Sequence, residues 1–99
     1  MQGLNLAAAW SRVSVPVLAL YGEYDFIMRR EDHETIAALV DAGHPGRGRF
    51  LLIPRMDHSF ALHDTRLEGM TEMGRGPLAE QALRAIVGWL KEQTAKLSY

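Results

Sequence analysis

The chain contains no cysteine, which excludes disulfides, thiolate metal ligands and cysteine nucleophiles. No apolar run comes near the roughly 18–20 residues that a membrane-spanning helix requires. No basic segment followed by an apolar core, the mark of a secretory leader, stands at the N-terminus. Charge of neither sign dominates: Lys and Arg number 11 against 12 Asp and Glu, for a net charge of −1. Neither a nucleic acid nor a membrane surface is therefore an expected partner. Internal repeats, low-complexity tracts and interdomain linkers are also missing. What remains, 99 residues with 47% apolar content, describes a single globular domain over residues 1–99, with a cytoplasmic location expected. A chain of this size buries only about 60–65% of its unfolded surface, so its margin of stability is narrow.

Hydrophobic periodicity divides the chain into a few elements. Residues 4–12 are rich in helix formers and place Leu6, Ala9 and Trp10 on one face, predicting a short helix that ends before Val13-Ser14-Val15-Pro16. Pro16 suits the first residue of a strand, and the unbroken apolar run Val17 to Tyr21 reads as a strand covered on both faces. Gly22 is expected to permit a sharp exit that carries Asp25 beyond the strand end. Glu31 to Ala42 predicts a helix, with Glu31, Asp32 and Glu34 in its first turn, an apolar stripe of Ile36, Leu39 and Val40, and Gly43 as its stop. His44 to Arg49 makes a small basic loop, read as a solvated turn. Phe50 to Ile53 predicts a second short strand ended by Pro54. Strand, helix and strand at these lengths form a βαβ unit with parallel strands. Residues 59–76 are the least regular, with one helical turn expected around Leu62 to Met70. Gly76-Pro77 then signals a final helix to about Lys96, with a stripe of Ala79, Leu83, Ile86, Val87, Leu90 and Leu97 and Trp89 beside it.

Two residues stand out by position. Asp25 lies just past the first strand and His58 just past the second, where open α/β sheets gather their chemistry. Asp25 closes Pro16-Val17-Leu18-Ala19-Leu20-Tyr21-Gly22-Glu23-Tyr24-Asp25, and His58 stands in Ile53-Pro54-Arg55-Met56-Asp57-His58-Ser59-Phe60. The first segment resembles the penultimate strand and acid loop of the α/β-hydrolase superfamily, whose usual form is Pro-Val-Leu-x-x-x-Gly-x-x-Asp. The second is similar to that family's last strand and histidine loop, with Arg55 where many members carry Gly. The resemblance spans residues from about 4 to 97, and its chain order of acid, helix and histidine is that of the family's last third. It implies a partial α/β-hydrolase fold in which Asp25 is the triad acid and His58 the triad base.

The nucleophile elbow Gly-x-Ser-x-Gly does not occur in the chain. Ser59 follows His58 directly, Ser11 and Ser14 precede the first strand, and Thr35, Thr65 and Thr71 have no glycine-flanked turn, so an internal nucleophile is not expected. Asp57, His58, His63 and Asp64 are close in sequence, yet their spacing matches no zinc motif, and neither a metal nor a cofactor is expected. The sequence thus reads as the C-terminal portion of a serine-hydrolase-type enzyme that supplies acid and base for acyl transfer to water and is inactive alone. The alternative is a non-catalytic remnant acting as a homo-oligomeric scaffold. In either case the strand Val15–Tyr21 presents an apolar edge, and a homodimer through that strand or through a swapped element is the expected partner.

Overall fold

The computed structural model describes residues 6–96. In chain order these form α1 (Leu6–Ser11), β1 (Val17–Gly22), α2 (Arg30–Gly43), β2 (Gly48–Ile53), α3 (Arg66–Thr71) and α4 (Glu80–Lys96). The strands are neighbours in a two-stranded sheet. The Val17 N–H donates to the Arg47 carbonyl at 2.7 Å and the Glu23 N–H to the Ile53 carbonyl at 2.9 Å, so partners advance together along the chain and the pair is parallel. The architecture is α/β, a two-strand parallel sheet flanked by helices. Residues 4 and 5 of the expected first helix and Leu97 of the expected last stripe lie outside the described residues. Residues 6–20 with 29–51 make one compact unit, and residues 21–28 with 52–96 another; each strand begins in the first and ends in the second. No described helix is long and apolar enough to cross a membrane.

In the first unit, α1 and α2 pack together. A Cβ at Gly43 would run into the Ser11 carbonyl, so the glycine expected only to stop α2 also lets the two helices touch backbone to backbone. It is the last residue of α2, and the helix closes one residue later through the His44 N–H to the Val40 carbonyl. The return to β2 is organised by Asp41, whose carboxylate accepts from the Gly46 N–H at 2.8 Å and the Gly48 N–H at 3.4 Å. Arg47 of the basic loop is spent locally, donating to the Ser14 carbonyl at 2.8 Å. Ala19, Ala37 and Val40 form the buried centre of this unit.

In the second unit the chain leaves β2 and doubles back. Isolated antiparallel bridges join Met56 to Leu62 and Ala61 to Leu78. Thr65 caps α3 by accepting from the Glu68 N–H at 3.1 Å. Gly69 brings α3 onto Tyr24, where a Cβ would stand 2.8 Å from that of the tyrosine. The Arg66 guanidinium lies over the rings of Tyr24 and Phe26, at 5.5 and 5.8 Å from their centroids. Ile53, Met56, Ala61, Ala79 and Ala82 are buried here.

Three sequence expectations are corrected. Pro77 does not start the last helix: its carbonyl accepts from the Leu62 N–H at 2.8 Å, and the Ala79 N–H donates to Phe60 at 2.7 Å, so 77–79 pair as extended chain and α4 begins at Glu80. The stripe of α4 is rotated from the expected one. Ala79, just before the helix, is buried and Ile86 and Trp89 are half-buried, as expected, but Ala82 is fully buried and Ala85 half-buried in place of Leu83, Val87 and Leu90, which are exposed. The helical turn expected at Leu62 to Met70 is α3, shifted to Arg66–Thr71 because 61–62 are engaged in bridges.

Candidate functional site

Asp25 and His58 belong to the same compact unit, and the structure brings them together. His58 Nδ1 lies 3.0 Å from Asp25 Oδ2. The two partners differ sharply in accessibility: the Asp25 side chain is 6% exposed and that of His58 42%. The acid is buried and the imidazole faces outward.

Local backbone chemistry explains where each sits. After β1 the chain turns at once, with the Asp25 N–H donating to the Gly22 carbonyl at 3.0 Å. Asp25 Oδ1 then accepts from the N–H groups of Ile27 at 2.8 Å and Met28 at 2.9 Å, folding the loop around its own carboxylate. The buried Tyr21 hydroxyl donates to the Asp25 carbonyl at 2.9 Å and braces the same turn from β1. Gly22 is required for a reason other than the one expected. Its φ is not among the positive ones. A Cβ there would instead strike the Met56 carbonyl oxygen and come within 3.0 Å of the Asp57 carbonyl. The glycine lets the end of β1 touch the segment that leads into His58.

Opposing effects act on the Asp25 carboxyl. Burial works to raise its pKa; donation from the Met28 N–H, the His58 ring and the Ile27 N–H, together with the imidazole's charge, outweighs burial and holds it below its ordinary value. A carboxylate only accepts, so the bond to His58 selects the Nδ1–H tautomer of the neutral ring. That leaves Nε2, which no described residue engages, as a lone pair directed away from the acid.

A second acid–imidazole pair adjoins the first, and the sequence reading missed it. His63 Nε2 lies 2.7 Å from Asp57 Oδ2, with both side chains almost wholly buried. Asp57 also accepts from the Ser59 N–H at 2.7 Å, the Ala61 N–H at 3.0 Å and the Gly74 N–H at 2.7 Å. Burial again works to raise this carboxyl, and donation from Gly74, His63, Ala61 and Ser59 holds it below its ordinary value. The cluster Asp57, His58, His63 and Asp64 is thus split: Asp57 binds His63, His58 turns to Asp25, and Asp64 faces Arg55 at 3.6 Å. An aspartate accepting from the N–H two residues on is a recognisable turn signal, but no spacing rule joins Asp57 to His63.

Arg55 adopts φ 61 and Phe60 φ 67, both in the left-handed region. At both positions the backbone conformation favours Gly over the residue present. A cleft of about 720 Å³ in this unit is lined by Arg55, His63, Asp64, Glu68, Glu72 and Arg75 among others, and Asp25 and His58 do not border it. No protein-family model, no curated protein and no solved structure matches the chain.

Proposed function

We propose that this chain carries the acid and base, Asp25 and His58, of a serine-hydrolase-type α/β-hydrolase site, and that the nucleophile and oxyanion donors belong to residues outside this sequence. The observation that carries the reading is the 3.0 Å contact between a buried carboxylate and an outward-facing imidazole, each just past the C-terminal end of one of two parallel strands. Asp25 would hold the ring as its Nδ1–H tautomer, so that Nε2 takes the proton of an attacking hydroxyl. The imidazolium so formed is stabilised by the same carboxylate and returns its proton to the leaving group as the acyl–oxygen or acyl–nitrogen bond breaks. Water, activated at the same Nε2, then releases the acyl group.

Alone, the chain is expected to show no hydrolase activity, since an acid–base pair without a nucleophile retains little of a working site's rate. A fluorophosphonate probe should leave it unlabelled. Nitrogen-15 NMR of the imidazoles should find neutral His58 as the Nδ1–H tautomer, with that preference lost in Asp25→Asn. A His58 in the Nε2–H form in the unsubstituted protein would overturn the pairing. Turnover of p-nitrophenyl acetate that vanishes both in His58→Ala and in Ser59→Ala would overturn the claim that the nucleophile is absent.

A second reading has its own support. The sheet has two strands among the described residues, and two strands alone are marginally stable. A partial hydrolase-type fold completed by a homodimer, pairing Val15–Tyr21 with its own copy, gives a four-stranded sheet and a non-catalytic scaffold. Sedimentation showing a stable folded monomer at micromolar concentration, or Leu18→Lys leaving the oligomeric state unchanged, would exclude it.

A further inference from the structure

We infer that the buried Asp57–His63 pair is a positioning device for His58, the element that holds the outward-facing imidazole against Asp25. The inference rests on the reading of Asp25 and His58 as the acid–base pair.

His58 occupies an exposed turn, its imidazole is bonded to one side chain only, and an exposed histidine on an unrestrained turn would lose that contact to rotamer entropy. The turn is restrained, and nearly every restraint converges on the preceding residue. The Asp57 N–H donates to the Ala61 carbonyl at 2.8 Å, and the Phe60 N–H donates to the Asp57 carbonyl at 3.2 Å. Oδ1 of Asp57 takes the N–H groups of Ser59 and Ala61. His58 therefore lies inside a ring of backbone closed by its neighbour's side chain, and Phe60 is driven into the left-handed region to close it.

Oδ1 holds the turn's shape, and Oδ2 fixes where the turn sits. Its two donors come from elsewhere: the Gly74 N–H from beyond α3, and His63 from the segment bridged to Met56. The His63 N–H donates in turn to the Arg55 carbonyl at 3.0 Å, tying the imidazole to the chain just after β2. A carboxylate has about four acceptor positions, and here all are used. A buried carboxylate robbed of one donor is costly, so removing the His63 ring loosens the anchor of the turn without touching His58 or Asp25. Neither member of the pair contacts the outward Nε2 of His58; both act through the turn.

Because Asp57 only accepts, neutral His63 is the Nε2–H tautomer, opposite to that of His58. The two rings are thereby distinguishable in one nitrogen-15 spectrum of the whole protein. The test compares His63→Leu, which removes the donor, with His63→Gln, which places an amide donor at similar reach. In His63→Leu the far-downfield Nδ1 proton of His58 should disappear and its tautomer preference be lost; in His63→Gln both should return. Persistence of the His58 signature in a folded His63→Leu protein overturns the inference, as does its absence from a folded His63→Gln protein. Should the leucine variant fail to fold, the unsubstituted protein decides in sub-denaturing urea. The His58 signal and the hydrogen-exchange protection of the Gly74 amide should then fall together, and loss of the first while the second persists overturns the inference. Asp25→Asn separates the two claims. If the His58 signature survives that substitution the acid–base reading fails, whereas its loss there with persistence in His63→Leu sinks the positioning role alone.

Discussion

Gly22→Ala and Gly88→Ala are the same chemical change, and the structure assigns them opposite signs. At Gly22 an added methyl meets main chain: the Met56 carbonyl oxygen stands in its place, with the Met56 carbonyl carbon at 2.9 Å and the Asp57 oxygen at 3.0 Å. None of these is the end of a flexible side chain, so the backbone itself must move. Overpacking of this kind costs about 1–3 kcal/mol. The displaced Met56 carbonyl also accepts from the Tyr24 N–H at 2.9 Å, a bond worth about 0.5–1.5 kcal/mol net. Against this stands a gain of about 0.4–1 kcal/mol from a less flexible unfolded chain. The balance is a loss of roughly 1–3 kcal/mol. At Gly88, in the exposed middle of α4, nothing lies within 4 Å of the new methyl, and a helical Gly→Ala exchange gains about 0.5–1 kcal/mol. With a urea dependence near 1–1.5 kcal/mol per molar for a chain of this size, the unfolding midpoint should fall by about 1–2 M in the first variant and rise by about 0.5 M in the second. A Gly22→Ala protein within about 0.5 kcal/mol of the unsubstituted one would refute the close approach of β1 to the His58 segment.

Other outcomes follow from the same structure. Arg55→Gly should stabilise by about 0.5–1 kcal/mol, because relief at φ 61 exceeds the loss of an exposed ion pair, whereas Arg55→Val should destabilise; urea titration of both checks this. Asp25 and Asp57 titrate lower in the folded than in the unfolded chain, so the stability they contribute is present above their ordinary value of 3.8 and is lost as pH falls below it toward the folded values. Unfolding midpoints measured from pH 5 to pH 2 should therefore decline with acid, and less steeply in Asp57→Asn. On α4, Ala82→Leu should cost about 1–3 kcal/mol by overpacking a fully buried site, while Val87→Gln on the exposed side should stay within about 0.5 kcal/mol; thermal melts of the two distinguish the observed face from the periodic one.

The parts of the fold legible in the sequence are those governed by short-range rules. Val17 to Tyr21 and Phe50 to Ile53 are apolar runs of strand length, and the helix between them has acids in its first turn, so the parallel pair could be read directly. Parallel strands bring their C-terminal ends together, which is why Asp25 and His58 could be placed side by side without a structure. What escaped was set by distant partners. Pro77 and Leu78 have a helix-start signature, but pairing with Phe60 to Leu62 keeps them extended. Leu83, Val87 and Leu90 are more apolar than the alanines of α4, yet close packing buries the small Ala82 and leaves them exposed, a choice that periodicity weighted by hydrophobicity reverses. Gly22 reads in the sequence as a turn residue, because steric contact with Met56 has no local signature. His63 was recognisable as a histidine and nothing more, since its partner is fixed by the path of an irregular loop.

The bond between the Asp57 carboxylate and the Gly74 amide joins residues 17 apart, and α3 lies in the interval. It works as a clasp at the neck of a loop. Once a neck is held, the entropy of the enclosed chain grows only with the logarithm of its length, and doubling that length costs about 0.6 kcal/mol. His58 sits just inside that neck, one residue from the clasp, and Gly69 and Arg66 of the same loop pack on Tyr24 and Phe26. Residues added beside the exposed Met73, between α3 and the clasp, would therefore lengthen the loop at small entropic cost while the packing of α3 and the turn that carries the imidazole are both kept.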